Sequence, residues 1–240
     1  LRTGSDAIAV DNVAAVLAEV EPDLAPVSIS SAEDQVSAAK ALAAWWKAAG
    51  AHHARGNLGL DALALAARTG EAPDLGAQAE WVNAALAELP AVRALTVDVL
   101  PYDDAGASDV DQLAFAIATG VAYLRDLEAA GISPAAAFGQ IAFRVSANAD
   151  QFTTVARLRA LRRLWARVGE VSGVPANARG AVQHAVTSWR MARNTQAVAS
   201  EEANIGRVSD PAGGSWYVEE LTESLAAKAW QAFQAIEAAG

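Results

Sequence analysis

The chain has 240 residues, 18 of them basic and 28 acidic for a formal net charge of −10, and no cysteine. That charge speaks against nucleic acid and anionic membrane surfaces as partners, and no apolar run approaches the ~18 residues of a membrane span. The lack of cysteine removes disulfides, thiolate nucleophiles and thiolate metal sites together, which suits a cytoplasmic protein. The length suffices for one large core or two small ones. Alanine carries much of the 53% hydrophobic content, which predicts helix as the most abundant structure. Leu1 is no start methionine and no signal-peptide pattern follows it, so the chain reads as a piece of something longer.

In chain order, Ser5–Val10 is predicted as a weak strand and Asp11 as the cap of a short helix, Val13–Glu19. Ala25–Ser30 is a second strand, and Ser31 with Asp34 can cap a helix over Ala32–Ala49 that ends at Gly50. Ala51–Gly59 reads as a third strand running into a glycine-bearing loop, and Leu60–Thr69 and Gln78–Glu88 as helices separated by Gly70–Gly76. Arg93–Leu100, with β-branched Thr96, Val97 and Val99, reads as a buried strand. The polar loop after it holds Tyr102, Asp103, Asp104 and Gly106. Ser108 with Asp111 is a capping-box signature, and Leu113, Ile117, Val121, Leu124 and Leu127 recur at helical spacing until Gly131 and Pro134 stop the run. Gly139–Ser146 is another strand. Asp150 caps a long helix to about Val171 through Phe152, Val155, Leu158, Leu161, Trp165 and Val168. Val182–Ser188 is the sixth strand, followed by helical Ala192–Ala203, a turn at Asp210–Gly214 and a final helix, Leu221–Ala239.

Strands alternating with helices predict an α/β fold with a parallel sheet, either barrel or doubly wound. In both, chemistry is placed at the carboxyl ends of the strands. In a barrel, Asp98, Arg144, Thr187 and Ser188 gather around one mouth. No GxGxxG or P-loop follows any strand, which argues against a nucleotide-binding open sheet.

Five motifs in order then carry a resemblance: TVDVLPYDDAGASDVDQLAFAIATGVAYL, QIAFRVSANADQFTTVARLRALRRLW, HAVTSW, ARNTQAVASEE and DPAGGSWYVEELT. Over nearly its whole length the chain resembles the barrel domain of the methylmalonyl-CoA mutase family. ARGNLGLDALA, DLAPVSIS and HAVTSWRM bring it nearest to the small, β subunit of the bacterial heterodimer. The resemblance implies a TIM (β/α)8-type barrel that holds an acyl-CoA along its axis. It also implies a separate adenosylcobalamin domain whose histidine ligates cobalt, radical isomerisation of methylmalonyl-CoA to succinyl-CoA, and a large catalytic subunit as partner. The barrel's share of that work is to exclude water while the cofactor carries the chemistry.

Departures from the family pattern set the expected role. Tyr102 is kept, but Asp103 stands where the catalytic subunit has a histidine that touches the substrate carbonyl. An ionised carboxylate cannot donate a hydrogen bond there. Residues 56–61 read GNLGLD in place of the expected Gln-Asn-Asp stretch, and no cobalamin domain is present. TSWRM runs straight into ARNTQ at Met191–Ala192, where family members carry a further helix and strand. A βα unit is roughly 30 residues of a ~250-residue barrel, so at least one unit reads as deleted, and the start reads as truncated too. The fold expected is thus an incomplete TIM-type barrel, residues 1–240, with about six recognisable strands.

Expected substrate contacts, by resemblance, are Tyr102, Arg159, His184, Thr187 and Ser188. Tyr102 either caps an acyl-CoA pocket or plugs the mouth. His184 with Thr187 and Ser188 either bonds a pantetheine amide or is a set of satisfied polar groups. Asp103 and Asp104 are a vestigial substrate loop, acid/base partners, or solvated carboxylates before a helix N-terminus. Arg157, Arg159, Arg162, Arg163 and Arg167 either bind CoA phosphates or form a solvated face paired with acidic neighbours. His53-x-x-Gly56 is a fragment of the cobalt-ligating pattern, but position 51 is Ala rather than Asp, so the partner that orients the imidazole is missing. Arg193–Gln196 and Glu201 read as anchors of the barrel bottom or of the helix packing. Exposed members among the seven tryptophans would mark a partner surface. The function expected is a non-catalytic small subunit that does not itself ligate adenosylcobalamin. The alternatives are a catalytic acyl-CoA mutase barrel working with a separate cobalamin-binding chain, and a non-catalytic acyl-CoA-binding barrel.

Overall fold

The computed structural model describes residues 1–51, 53–187 and 207–239. Strands β1 (Arg2–Thr3), β2 (Val27–Ser28), β3 (Ser30–Ser31), β4 (Gly56–Leu60), β5 (Val92–Asp98), β6 (Ile141–Ser146) and β7 (Val182–Val186) pair in parallel throughout. β2 and β3 are halves of one run through Ile29, whose N–H donates to the Asn57 carbonyl at 3.0 Å. β1 lies against β3, and β4, β5, β6 and β7 follow from β2. Each strand therefore sits beside its predecessor in the chain. A doubly wound sheet reverses its order at a switch point, and this one does not. It curls as part of the wall of a TIM-type barrel, an incomplete one as the strand count predicted.

Helices α1 (Val13–Val16), α2 (Gln35–Ala48), α3 (Ala62–Thr69), α4 (Gly76–Glu88), α5 (Leu100–Asp104), α6 (Asp109–Ala129), α7 (Pro134–Gly139), α8 (Gln151–Val171) and α9 (Trp216–Ala239) complete the described elements. Local chemistry starts the long ones. Asp34, Ser108 and Asp150 cap α2, α6 and α8 by accepting from Ser37, Asp111 and Thr153 N–H, satisfying donors that the first turn leaves free. Gly59 holds φ +73°, and a Cβ there would lie 2.0 Å from the Ile29 carbonyl oxygen, so only glycine lets the β2–β3 run approach β4 so closely.

The centre of packing is Trp165 of α8, which is fully buried. Its ring stacks on Phe138 of α7 at 4.3 Å and meets the edge of Phe143 of β6 at 4.9 Å. Gly120 of α6 provides the space on its other side, since a Cβ there would fall 2.6 Å from the indole. α9 lies over α6 and α8, burying Val218, Leu225, Ala226, Ala229 and Phe233 and pairing Glu237 with Arg125 and Glu223 with Arg163.

Four predicted elements need correction. The first strand is Arg2–Thr3 rather than Ser5–Val10: a turn closed by Gly4 and Ala7, with Ser5 held to Glu33 at 2.6 Å, leaves only Ile8 as a bridge to Thr3. Leu100, the predicted end of the strand, and residues 101–104 of the predicted loop are helical, because Pro101 in the first turn presets helical φ. α7 occupies the stretch read only as a stop, capped by Ser133. α9 begins at Trp216, not Leu221, and Phe152, one of the residues through which the long helix is predicted, is exposed against Tyr217. The expected helix Ala192–Ala203, Arg193–Gln196 and Glu201 lie outside the described residues.

Candidate functional site

Three adjacent strands present one charged row. Asp98 pairs in register with Arg144, and Arg144 with His184, so the three side chains project from the same face of the sheet. Phe143 and Gln183, the alternating neighbours, turn instead to α8, the first onto Trp165 and the second onto the Leu158 carbonyl. The Asp98–Arg144–His184 face is therefore the inner wall of the curl. Asp98 Oδ2 accepts from Arg144 at 3.0 Å and from Arg68 of α3 at 3.3 Å, while Oδ1 accepts from Leu100 N–H. One carboxylate thus neutralises one of two guanidinium groups, and the His184 imidazole beside them is pushed below its ordinary pKa by partial desolvation, then by Arg144 and the N-terminal ammonium.

Behind this row lies a fully buried carboxylate. Asp61, at the end of β4, accepts from Ala64 N–H at 2.9 Å as the cap of α3, from Asp98 N–H at 2.6 Å, and from the Tyr123 hydroxyl of α6. The Tyr123 oxygen in turn accepts from Leu63 N–H at 3.0 Å. Burial pushes Asp61 up to about 7; its three donors pull the other way and do not prevail. Tyr123 is raised by its own burial and then by the Asp61 charge. This cluster ties the ends of β4 and β5 to α3 and α6.

α5 decides what Tyr102 and Asp103 can reach. Tyr102 is half-buried and packs on Phe115 of α6 with ring centroids 5.0 Å apart; desolvation and then the Asp61 charge raise its pKa. Asp103 accepts from Gln112 Nε2 at 2.8 Å. Gln112 Oε1 accepts from Arg157 at 2.7 Å, and Arg157 also donates to Asp109, to Ser146 Oγ and to the Ser146 carbonyl at 2.6 Å. Asp103 is thus the outer end of a polar chain that runs through a buried glutamine to an arginine only 3% exposed.

The residues predicted from sequence fall in three places. Tyr102 and Asp103 lie on α5, directly after the strand that carries Asp98, and His184 lies on the inner wall beside Arg144. Arg159 is elsewhere, bonded to Asp210, Glu219 and Thr222 and so joining α8 to α9. Thr187 is half-exposed just beyond β7, and Ser188 lies outside the described residues. The other helix-α8 arginines have partners within the chain: Arg157, buried, with Asp109, and on the surface Arg163 with Glu223, Arg167 with Glu170 and Arg162 with Gln183. Sequence reasoning missed Asp61, Gln112 and the inward role of Arg157. A signal for the last was present, because residue 157 falls on the same helical stripe as Leu161, Leu164, Trp165 and Val168.

The His53-x-x-Gly56 fragment does not fit a cobalt ligand. Gly56 is a pairing residue of β4 facing the Val27 carbonyl, where a Cβ would lie 1.7 Å away, so no cavity opens beside it. His53 is exposed, and its backbone N–H, not its imidazole, donates to Asp23 at 2.8 Å, while His52 lies outside the described residues.

Strands laid down in chain order, with the polar row on the inner wall toward their carboxyl ends, define a domain of the (β/α)-barrel class. The methylmalonyl-CoA mutase family model matches residues 3–188 and 180–240. The chain is 41% identical over 290 aligned positions to the methylmalonyl-CoA mutase small subunit of Propionibacterium freudenreichii subsp. shermanii, covering 100% of this chain and 46% of that protein. It is 42% identical to the Streptomyces virginiae small subunit, over 100% of this chain and 47% of the relative. Against the methylmalonyl-CoA mutase of Cereibacter sphaeroides the identity is 30%, over 70% of this chain and 30% of the relative. The chain belongs to the methylmalonyl-CoA mutase family, and it spans about half the length of the small subunits it matches.

Proposed function

We propose that this chain is barrel material of a mutase small subunit: a non-catalytic scaffold that pairs with a large subunit, which in turn holds adenosylcobalamin and converts methylmalonyl-CoA to succinyl-CoA. The observation that carries the reading is the engagement of Asp103. At the position where the resemblance calls for a neutral donor aimed at a thioester oxygen, this chain has an acceptor already bonded to Gln112. A carboxylate there also repels the negative charge that builds on a migrating carbonyl. The identity of 41% and 42% to the Propionibacterium and Streptomyces small subunits, against 30% to the Cereibacter mutase and also to the Porphyromonas gingivalis small subunit, supports that reading for the first two relatives.

Co-expression with a mutase large subunit followed by size exclusion tests it. The expected result is co-elution, with isomerase activity in the complex and none in the isolated chain given free coenzyme. Absence of co-elution overturns the pairing, and turnover by the isolated chain overturns the non-catalytic role. The acyl-CoA-binding alternative draws on Arg68, Arg144 and His184 along the inner wall, where two guanidinium groups meet one carboxylate. Calorimetric titration with CoA thioesters checks it, and millimolar or weaker affinity removes it.

A further inference from the structure

Helices α6 and α8 lead back from β5 to β6 and from β6 to β7, so their last turns lie at the amino ends of the strands, away from the Asp98–Arg144–His184 row. α9 runs in the same direction: Glu219 and Glu223 near its start meet Arg159 and Arg163 of α8, and Glu237 near its end meets Arg125 of α6. The three C-terminal ends therefore gather on one side of the molecule. Between them opens a cleft of about 460 Å³, with every wall among the described residues. Val121 and Leu124 of α6, Val168 and Val171 of α8, and Trp230 and Phe233 of α9 give it an apolar floor. The Trp230 and Phe233 ring centroids lie 5.2 Å apart.

The rim of the cleft is short of positive charge. Each of the three helices has a glutamate in its last turn, Glu128, Glu170 and Glu237, and none has a basic residue there. The helix dipole is negative at that end, which disfavours carboxylates and favours cations. Arg167 pairs with Glu170, and both terminal nitrogens of Arg125 bond Glu237, while Glu128 has no partner among the described residues. Glu128, Glu237 and Arg125 line the cleft, two carboxylates against one guanidinium. Arg179, whose Nε–H goes to the Val174 carbonyl beyond the end of α8, does not line it.

We propose that this cleft is a binding site for an organic cation, an ammonium group on a compact apolar body, with the body against Trp230 and Phe233 and the head at Glu128. Burial of the body supplies the affinity, since a cleft of this size encloses most of a small ligand. The head supplies the selectivity. It gains from the Glu128 carboxylate, from the negative helix ends and from the face of the Trp230 ring, each of which repels an anion of the same shape. The site stands apart from the inner wall and does not rest on the mutase reading.

The probe is 2-phenylethylammonium, with neutral 2-phenylethanol and anionic 3-phenylpropionate as controls of similar size. The full chain is labelled with 5-fluorotryptophan, and the Trp230 signal is the one of seven that is missing from Trp230→Phe. The expected result is a saturable movement of that fluorine signal, half complete below about 1 mM of the ammonium and at least about tenfold weaker for either control. Glu128→Gln removes the exposed charge and leaves the apolar floor in place. It should weaken the ammonium at least about threefold and leave the alcohol unchanged, a split that a purely structural role for Glu128 does not produce. Calorimetry on the unlabelled chain should rank the three probes in the same order, a readout independent of how the Trp230 variant folds. No saturable movement up to about 10 mM overturns the proposal, as does an equal response to the three probes or an unchanged ammonium affinity in Glu128→Gln.

Discussion

β6 and β7 lie side by side, run parallel and are of nearly equal length, yet they live in different solvents. Residues of β6 are buried on both faces, with Phe143 under Trp165 and Arg144 within an ion pair, while β7 buries none of its five. Composition does not account for this, since each strand carries two polar residues among apolar ones, Arg144 and Ser146 in β6, Gln183 and His184 in β7. The difference is the second neighbour. A parallel strand acquires its burial from strands on both sides and helices over the outer face, and among the described residues β7 pairs with β6 alone while Gln183 reaches α8.

The largest effect expected from probing this contrast is Phe143→Ala. Truncating a fully buried aromatic at the Trp165 contact costs about 3–5 kcal/mol, read as a fall in the urea midpoint. The pH dependence set by Asp61 comes next, at the covered end of the sheet. Its folded pKa of about 7 lies above an unfolded value near 3.8, so the folded state keeps a proton that the unfolded chain gives up. Its contribution is fully present below the unfolded value and is lost as pH rises through the folded one, by up to about 4 kcal/mol between pH 4 and 8. Urea midpoints across that range should fall for the natural chain, and fall less for Asp61→Asn.

Arg157→Met should cost about 2–3 kcal/mol, since it leaves Asp109, Gln112 and Ser146 without a buried donor. The same measurement on Arg163→Met, whose partner Glu223 is as exposed as it is, should give at most about 1 kcal/mol. Val182→Ala on β7 is the smallest, at about 0.5 kcal/mol or less. A cost as large as that at Phe143 would mean that the β7 edge is already covered.

Much of this was readable one residue at a time. The capping residues Asp34, Ser108 and Asp150 and the stripe through Leu113, Ile117, Leu124 and Leu127 rest on contacts within one turn, so the chain states them locally. Five of the six runs of strand followed from the same local periods, the first being misplaced, and the incompleteness of the barrel followed from setting their count against the eight strands the resemblance implies. The candidate site was legible in part: Tyr102, Asp103 and His184 were picked out, while the carboxylate that most perturbs its surroundings, Asp61, was not. Its burial depends on Tyr123 and Asp98, which are 62 and 37 residues away in the chain.

What the sequence by itself determined, then, is the alternation of strand and helix, the places where helices begin, and membership of a family carried by motifs in order. Tertiary structure alone decided which arginine of α8 turns inward and which ties down α9, that Asp103 is engaged with Gln112, and that β7 lacks, among the described residues, the cover β6 enjoys. The physical reason is that periodicity and capping are settled by neighbours a turn apart, whereas desolvation and partner choice are settled by groups that only folding brings within hydrogen-bond reach.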